Sequence, residues 1–181
     1  MSERIFISGD NIYLRGLETT DADGGYVNWF DDATVCQYNG HHMFPKSRDN
    51  LIDFIKYSQN TNDSLILAIV EKKTGIHVGN ISIQSIDYVA RNGEFAIIIG
   101  EKTVWGKGYS KEAGKLIVDH AFKNLNLERI YCGTSEKNVP MQKLAVGMGF
   151  KEEGRRRNAI FKNGEYLDII EYGILKEEWQ M

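Results

Sequence analysis

One strand–loop–helix segment in the middle of the sequence constrains the fold more than any other feature. Residues 93–100 contain the apolar run Phe-Ala-Ile-Ile-Ile, which predicts a strand that is buried on both faces of a sheet. Residues 104–108 form a short loop punctuated by glycine, and apolar residues then recur at helical spacing over residues 110–125. A strand buried on both faces needs layers that cover it, so this segment predicts a sheet flanked by helices.

The rest of the chain alternates between strand and helix periods. Helices are predicted behind the caps Thr20 or Asp21, Ser47, and Asn138, and Pro140 suits the first turn of the last one. Strands are predicted at residues 11–17, 64–71, 78–86 and 129–134, from residue 150 onward, and on both sides of the hairpin turn at residues 163–164. This order predicts a mixed α/β fold around one sheet.

The totals exclude several classes of protein. The 181 residues include two prolines and no repeat or linker-like segment, which predicts a single domain over residues 1–181. A net charge of −3 gives no electrostatic case for a nucleic acid or an anionic membrane as partner. Cys36 and Cys132 do not have the spacing of a zinc site, and both are expected to remain free thiols in a reducing compartment. Without a signal peptide or a bilayer-length apolar run, a cytoplasmic location is expected.

The loop Trp105-Gly106-Lys107-Gly108-Tyr109-Ser110 carries the strongest chemical signal. Glycines let main-chain N–H groups approach a ligand, and the N-terminus of the following helix favours a phosphate anion. Lys107 adds a cation at the same place. The P-loop ending in Gly-Lys-Ser/Thr is absent, and the three-glycine dinucleotide fingerprint is incomplete. On these residues alone, a ligand-free turn is a better interpretation than a diphosphate cradle.

The wider sequence resembles the GNAT superfamily of N-acetyltransferases from residue 13 to residue 175. Gly106 and Gly108 match the two small positions of that family's coenzyme A loop, whereas Thr103 stands where Arg or Gln is usual. Asn138 followed by Met148-Gly149-Phe150 resembles the second coenzyme segment. Residues 163–168, Asn-Gly-Glu-Tyr-Leu-Asp, resemble the C-terminal hairpin of the ribosomal-protein-alanine and spermidine acetyltransferase branches.

The resemblance implies a mostly antiparallel, mixed sheet of six to seven strands, flanked by about four helices. A splay between its two central parallel strands would hold acetyl-coenzyme A as co-substrate, and no metal is expected. Main-chain groups would pair with pantetheine and bind the diphosphate, and Asn138 would contact the coenzyme near its thiol. The implied main-chain contacts are those of Ile97, Ile98, Ile99, Trp105, Gly106, Lys107, Gly108, Tyr109 and Ser110.

The resemblance also implies direct attack of a neutral amine on the thioester. Glu94 lies where many relatives place the base, or a carboxylate that orders a basic water. The alternative is that Glu94 is a solvated or structural carboxylate. Ala145 stands where many relatives carry a Tyr that protonates the leaving thiolate, so no acid is assigned, and water, Cys132 and Ser135 stay open.

The acceptor pocket is expected between the first two helices and the C-terminal hairpin, with a small-molecule amine as partner. The candidate substrate-binding residues are Trp29, Tyr38, His41, His42, Tyr88 and Arg91. The alternative without a functional role is that Trp29 belongs to the hydrophobic core and the other residues lie in surface loops. The loop at residues 39–45, which is rich in histidine and aromatic residues, and the basic run at residues 155–157 favour an amino sugar on a nucleotide carrier. Polyamines, ribosomal-type protein N-termini and a non-catalytic acetyl-coenzyme A module are the alternatives, and a homodimer is left open.

Overall fold

The structure is a computed structural model that describes residues 4–180. Its strands are Ile7–Ser8 (β1), Ile12–Gly16 (β2), Leu65–Glu71 (β3), His77–Asp87 (β4), Asn92–Ile99 (β5), Arg129–Ser135 (β6), Lys151–Lys162 (β7) and Glu165–Leu175 (β8). Its α-helices are Tyr26–Trp29 (α1), Arg48–Asn60 (α2), Tyr109–Lys123 (α3) and Val139–Gly147 (α4). Within residues 4–180, all eight strands form one sheet in the order β1-β2-β3-β4-β5-β6-β8-β7.

The mixed α/β class is confirmed, with a mostly antiparallel sheet and the parallel pair β5–β6. The sheet has one strand more than the six to seven expected. The additional strand, β1, has two residues, which is too short to show the alternation that identifies a strand. The helix expected after Asp21 is divided into a 3-10 turn over Thr19–Asp23 and the one-turn helix α1. Gly24 and Gly25 separate the two, because glycine is unfavourable inside a helix.

Short-range signals in the sequence set the ends of several elements. The Ser47 hydroxyl accepts a hydrogen bond from the Asn50 N–H at 3.2 Å and caps α2 as predicted. The Asn138 side chain caps α4 by accepting from the Met141 N–H at 3.3 Å. Asn163 and Gly164 have φ values of 53° and 85°, which is the left-handed geometry that a two-residue hairpin turn requires. These three predictions are confirmed.

Helices cover both faces of the sheet. On one face, α3 packs its buried Ala113, Ile117 and Ala121 against strand residues that include Phe95 and Ile130. On the other face, a second cluster joins residues of α1 and α2 to Tyr13, Ala68 and Val70 of β2 and β3. Burying each large apolar side chain contributes about 1.5–3 kcal/mol, so these layers hold the helices against the sheet.

The parallel strands β5 and β6 separate along their length. Their register pairs are Asn92 with Arg129, Gly93 with Ile130, and Glu94 with Tyr131, and no pair follows. The splay implied by the resemblance is therefore present. The expectation of burial on both faces is wrong for Ile97, Ile98 and Ile99, which are half-buried, because they lie beyond the last pair and border the gap.

Candidate active site

The gap between β5 and β6 opens into a cavity of about 600 Å³. Its walls come from β5, the glycine loop, the end of β6 and the first turns of α4. The segment that joins α1 to α2 and the β7–β8 hairpin close the other side, with Tyr38, Ile160 and Ile169 among the lining residues. A mostly apolar cleft with a few polar groups is typical of sites for small molecules.

Most residues of the predicted coenzyme site meet at this cavity. Four segments remote in the sequence contribute to it, and the candidates that line it are Tyr38, Glu94, Ile97, Ile98, Ile99, Trp105, Gly106, Gly108, Tyr109, Ser110 and Asn138. Lys107 and the remaining acceptor candidates are not among the lining residues.

The glycine loop depends on left-handed backbone at two positions. Gly106 has a φ of 81° and Gly108, the N-cap of α3, has a φ of 84°. Among the described residues, a Cβ atom at either position would meet nothing within 4 Å, so conformation and not space requires glycine there.

Several N–H groups of this loop are available to a ligand. The N–H groups of Trp105 and Lys107 are used within the turn, since each donates to a carbonyl three residues earlier at 3.2 Å. Those of Gly106, Gly108, Tyr109 and Ser110 have no main-chain acceptor within residues 4–180. Donors that are free at the N-terminus of a 15-residue helix are suited to an anion such as a diphosphate.

Lys107 has another partner. Its Nζ atom lies 3.3 Å from Oε1 of Glu71, at the end of β3. The predicted cation is therefore held by a carboxylate outside the cavity, and the main-chain N–H groups face the gap instead.

The edge of β5 that faces the gap is open beyond Glu94. The opposite edge pairs with β4, with Ile97 opposite Ile81 and Ile99 opposite Gly79. The Trp105 indole N–H donates to the Ile99 carbonyl at 3.0 Å, so a ligand would compete for that acceptor. An open strand edge can accept the amides of an extended ligand as if they were an added strand.

Glu94 stands at the register where β5 and β6 part. It is half-buried and lines the cavity. Within residues 4–180, its carboxylate makes no hydrogen bond and no ion pair. The pKa of the neighbouring Tyr131 is raised, first by burial and then by the negative charge of Glu94. Glu94 thus places an unpaired carboxylate in the cleft.

The side chains on and near α4 differ in whether they are available to a ligand in the cavity. Both polar atoms of the Asn138 side chain are used internally, because its Nδ2 also donates to the Thr134 hydroxyl at 3.0 Å. Ala145 is fully buried in the core. Burial raises the pKa of the Cys132 thiol to about 12, and this residue packs in the core. Ser135 lines the cavity, whereas Cys132 is not among its lining residues.

Three acceptor candidates pack under or beside the site. Trp29 is 4% exposed, and its ring lies directly on Gly100, where an added Cβ would be 1.8 Å from the ring. Trp29 therefore fixes the end of β5 from the core side. The His41 ring packs against Phe30, with centroids 4.6 Å apart, and His42 Nδ1 lies 3.3 Å from the Phe30 carbonyl oxygen.

The other two acceptor candidates join surface turns. The Tyr88 hydroxyl donates to the Asn62 carbonyl at 2.7 Å. The Arg91 guanidinium donates to the main-chain and side-chain oxygens of Asn126 at 2.8 and 2.9 Å. Neither residue lines the cavity, so the structure does not bring them to the acceptor end.

The charged groups near the acceptor end are largely paired. Arg155 contacts Glu136 at 2.8 Å and Asp168 at 3.0 Å, and Arg156 is paired with Glu171. Two of the three arginines of the basic run that favoured a nucleotide-bound sugar therefore already have carboxylate partners. Two nearby aspartates, Asp23 and Asp32, are likewise paired with bases.

Sequence reasoning missed two residues that line the cavity and one outside it that contacts the glycine loop. Ile160 and Ile169 reach the cavity from the C-terminal hairpin, and their alternation in a strand gave no sign of a ligand. Glu71 ends the apolar run of β3, and a single acidic residue in such a run is the signal that was available. Within residues 4–180, no group of three or more His, Cys, Asp or Glu side chains is placed to hold a metal ion. No helix in that range has the length and apolarity needed to cross a membrane.

Comparison with known proteins places this site in context. Residues 11–151 match the family described as the acetyltransferase (GNAT) domain. The chain is 37% identical over 176 residues to the uncharacterized N-acetyltransferase YnaD of Bacillus subtilis, covering 96% of this chain and 98% of that protein. It is 28% identical over 174 residues to spermidine N(1)-acetyltransferase of Escherichia coli, covering 95% and 90%. The crystal structure of spermidine N-acetyltransferase from Vibrio cholerae in complex with CoA and spermine aligns with a TM-score of 0.85 at 26% identity, covering 93% and 97%.

Proposed function

Because the chain belongs to the GNAT acetyltransferase family and is an acetyl-coenzyme A-dependent N-acetyltransferase, we propose that its acceptor is a polyamine of the spermidine class. The observation that carries this proposal is the similarity to two spermidine acetyltransferases, which extends over 95% and 93% of this chain. The substrate of these relatives is thus the first acceptor to test.

The residues around the gap fit the coenzyme. The free N–H groups of the glycine loop would bind the diphosphate, and the open edge of β5 would pair with the pantetheine amides. The thioester supplies the acetyl group. Asn138 keeps its capping bonds in this arrangement, so its contribution is to fix the start of α4 beside the thiol end.

Glu94 has the position and the freedom to act on the amine. The attacking nitrogen must be neutral, and a carboxylate, or a water bound to it, can take the proton that the amine loses. The C–N bond forms as the C–S bond breaks, and the sulfur leaves as a thiolate, which is a tolerable leaving group because thiols are fairly acidic. Ser135 or water can hydrogen-bond to that sulfur.

The acceptor end suits a slender cation better than a sugar nucleotide. Ile160 and Ile169 offer apolar surface to methylene groups, and the unpaired Glu94 carboxylate attracts an ammonium group. Two of the three arginines in the basic run, Arg155 and Arg156, are paired with carboxylates. The preference for an amino sugar therefore loses much of the support that the basic run gave it.

Thiol release from acetyl-coenzyme A over a panel of amines tests the proposal. The panel holds spermidine and spermine, a short peptide with a free N-terminal alanine, and an amino-sugar nucleotide. We expect the highest kcat/KM with spermidine or spermine. Turnover confined to the peptide or to the sugar nucleotide would replace the polyamine, and coenzyme binding without thiol release on any amine would indicate a non-catalytic module.

Association into a homodimer is also part of the proposal. Sedimentation velocity of the purified chain at several concentrations would detect it. A monomer at all concentrations would remove it without affecting the acceptor.

A further inference from the structure

We propose that Glu71 is a positioning residue that fixes the coenzyme loop from the neighbouring strand β3. The inference rests on the proposed placement of the coenzyme diphosphate at the glycine loop. Glu71 lies outside the cavity and touches no reacting atom, so it would act through the residues that it holds.

The Glu71 carboxylate joins three segments of the chain. Its Oε1 accepts a hydrogen bond from the Tyr109 hydroxyl at 2.6 Å and lies 3.3 Å from Lys107 Nζ. Its Oε2 accepts from the Thr74 hydroxyl at 2.7 Å. Tyr109 begins α3, Lys107 belongs to the glycine loop, and Thr74 lies in the turn between β3 and β4.

The carboxylate itself is held firmly. Glu71 is 5% exposed, pairs with Ile12 of β2, and exchanges main-chain hydrogen bonds with Ile76 and Gly75 across the β3–β4 turn. A buried charge is tolerated when hydrogen bonds and an opposite charge surround it. Hydrogen bonds from Tyr109 and Thr74 lower the pKa of Glu71 to about 2, so it stays ionised near neutral pH. The sheet therefore presents a fixed acceptor to the loop.

The contacts of Glu71 bracket the residue on which the loop depends. Lys107 and Tyr109 are the two neighbours of Gly108, whose left-handed φ of 84° turns the chain into α3. Holding both neighbours fixes the direction of the free N–H groups at Gly106, Gly108, Tyr109 and Ser110. Donors that are already oriented lose less conformational entropy when a ligand binds, which raises affinity.

The same contacts assign a different role to Lys107. Its ammonium lies over the Tyr109 ring, 5.8 Å from the centroid, and beside Glu71, outside the cavity. The cation predicted to meet the diphosphate thus helps to fasten the loop.

Coenzyme affinity measured by isothermal titration calorimetry tests the inference. We expect Glu71→Ala to raise the Kd for coenzyme A about 10-fold, while kcat at saturating acetyl-coenzyme A stays within about 2-fold. Glu71→Gln keeps an oxygen that accepts from Tyr109, so it should bind nearly as the wild type does. Glu152→Ala, at an exposed carboxylate on β7, is the matched control.

A second variant keeps the test valid if Glu71→Ala folds poorly. Tyr109→Phe removes one hydroxyl and should also raise the Kd. The double variant Glu71→Ala/Tyr109→Phe should lose less binding free energy than the sum of the two single losses, because both substitutions remove the same hydrogen bond between Tyr109 and Glu71. Wild-type affinity in both single variants would overturn the inference. If Gly108→Ala weakens binding and these two do not, the inference alone fails; if none of the three weakens it, the proposed diphosphate site fails.

Discussion

At the scale of single residues, the strand register decides which carboxylate is available for chemistry. Glu94 is the last residue of β5 that pairs with β6, so its side chain lies where the gap begins. By contrast, Asp32 is paired with Lys102, and Asp168 is held by Arg155 and by the Asn158 main-chain N–H. An unpaired carboxylate beside the open edge of a strand is placed to accept a proton.

Glu94→Gln tests this role directly. The amide cannot take a proton, so we expect kcat to fall about 100-fold or more, with little change in the Kd for coenzyme A. Glu152→Gln, on the exposed face of β7, should retain wild-type turnover. Turnover of Glu94→Gln that is close to that of the wild type between pH 6 and 9 would assign Glu94 a structural role.

A second buried carboxylate, Asp21, stabilises the fold. It receives hydrogen bonds from the Arg15 guanidinium at 2.6 and 2.9 Å, and His77 Nδ1 lies 3.4 Å away. Burial alone would raise the pKa of Asp21, but the hydrogen bonds from Arg15 and His77 outweigh it and hold this pKa well below its usual range. A carboxylate whose pKa is lowered by folding stabilises the folded state fully at pH values above about 3.9, its pKa in the unfolded chain. This stabilisation is lost as the pH falls from there through the pKa of the folded state.

We therefore expect Asp21→Asn to lower the free energy of unfolding by about 3 kcal/mol at pH 7, because it leaves the Arg15 charge without its partner. The difference from the wild type should narrow below about pH 4. Urea unfolding at pH 7 and pH 3 measures both values. Asp23→Asn breaks the exposed pair with Arg48 and should have a small effect. An equal loss at both pH values would show that the charge of Asp21 is not the cause.

At the scale of elements, the start of α3 depends on one backbone conformation. Gly108 and Gly147 both have open space where a Cβ would lie, but Gly108 alone of the two has a positive φ. Alanine substitutions at these two positions separate backbone strain from steric contact, because neither added methyl group meets a described neighbour within 4 Å.

Gly108→Ala should lower the free energy of unfolding by about 1–2 kcal/mol, since an L-residue in left-handed backbone is strained by that amount. It should also raise the Kd for coenzyme A, because relaxing the strain redirects the loop N–H groups. Gly147→Ala, at the end of α4, should change stability by less than about 0.5 kcal/mol. Chemical unfolding and calorimetry on both variants measure these effects, and equal losses would contradict the role of the left-handed turn.

At the scale of the whole molecule, the gap divides the sheet at its centre. β5 and the glycine loop lie on one side, and β6 with α4 lies on the other. A ligand that contacts both sides adds interactions to the folded chain that the unfolded chain lacks. Binding must therefore stabilise the fold by an amount that depends on ligand concentration.

Coenzyme A at 100 times its Kd should add about 2.7 kcal/mol to the free energy of unfolding. For a chain of this size, the Tm should rise by about 5–10 °C, which differential scanning fluorimetry detects. Pantetheine at the same concentration lacks the diphosphate and should give a smaller shift. Equal shifts with the two ligands would mean that the glycine loop does not bind the diphosphate.

The sequence by itself determined the features that depend on neighbours within a few residues. The caps at Ser47 and Asn138, the hairpin turn at residues 163–164 and the glycine-punctuated turn that leads into α3 were all identified correctly. Each cap is a hydrogen bond between residues three positions apart, and each turn is set by the φ values of one or two residues. The residues that specify these features therefore stand together in the sequence. The family motifs in the same segments also indicated the coenzyme and the reaction.

The tertiary structure alone decided which of these residues face the gap. An apolar strand has the same composition whether helices cover it or a cavity borders it, so the half-burial of Ile97–Ile99 was not predicted. The packing of Trp29 on Gly100, the pairing of Arg156 with Glu171, and the contact of Glu71 with Tyr109 join residues 15 to 71 positions apart. Contacts over such distances follow from how the strands are ordered in the sheet, which local patterns do not encode.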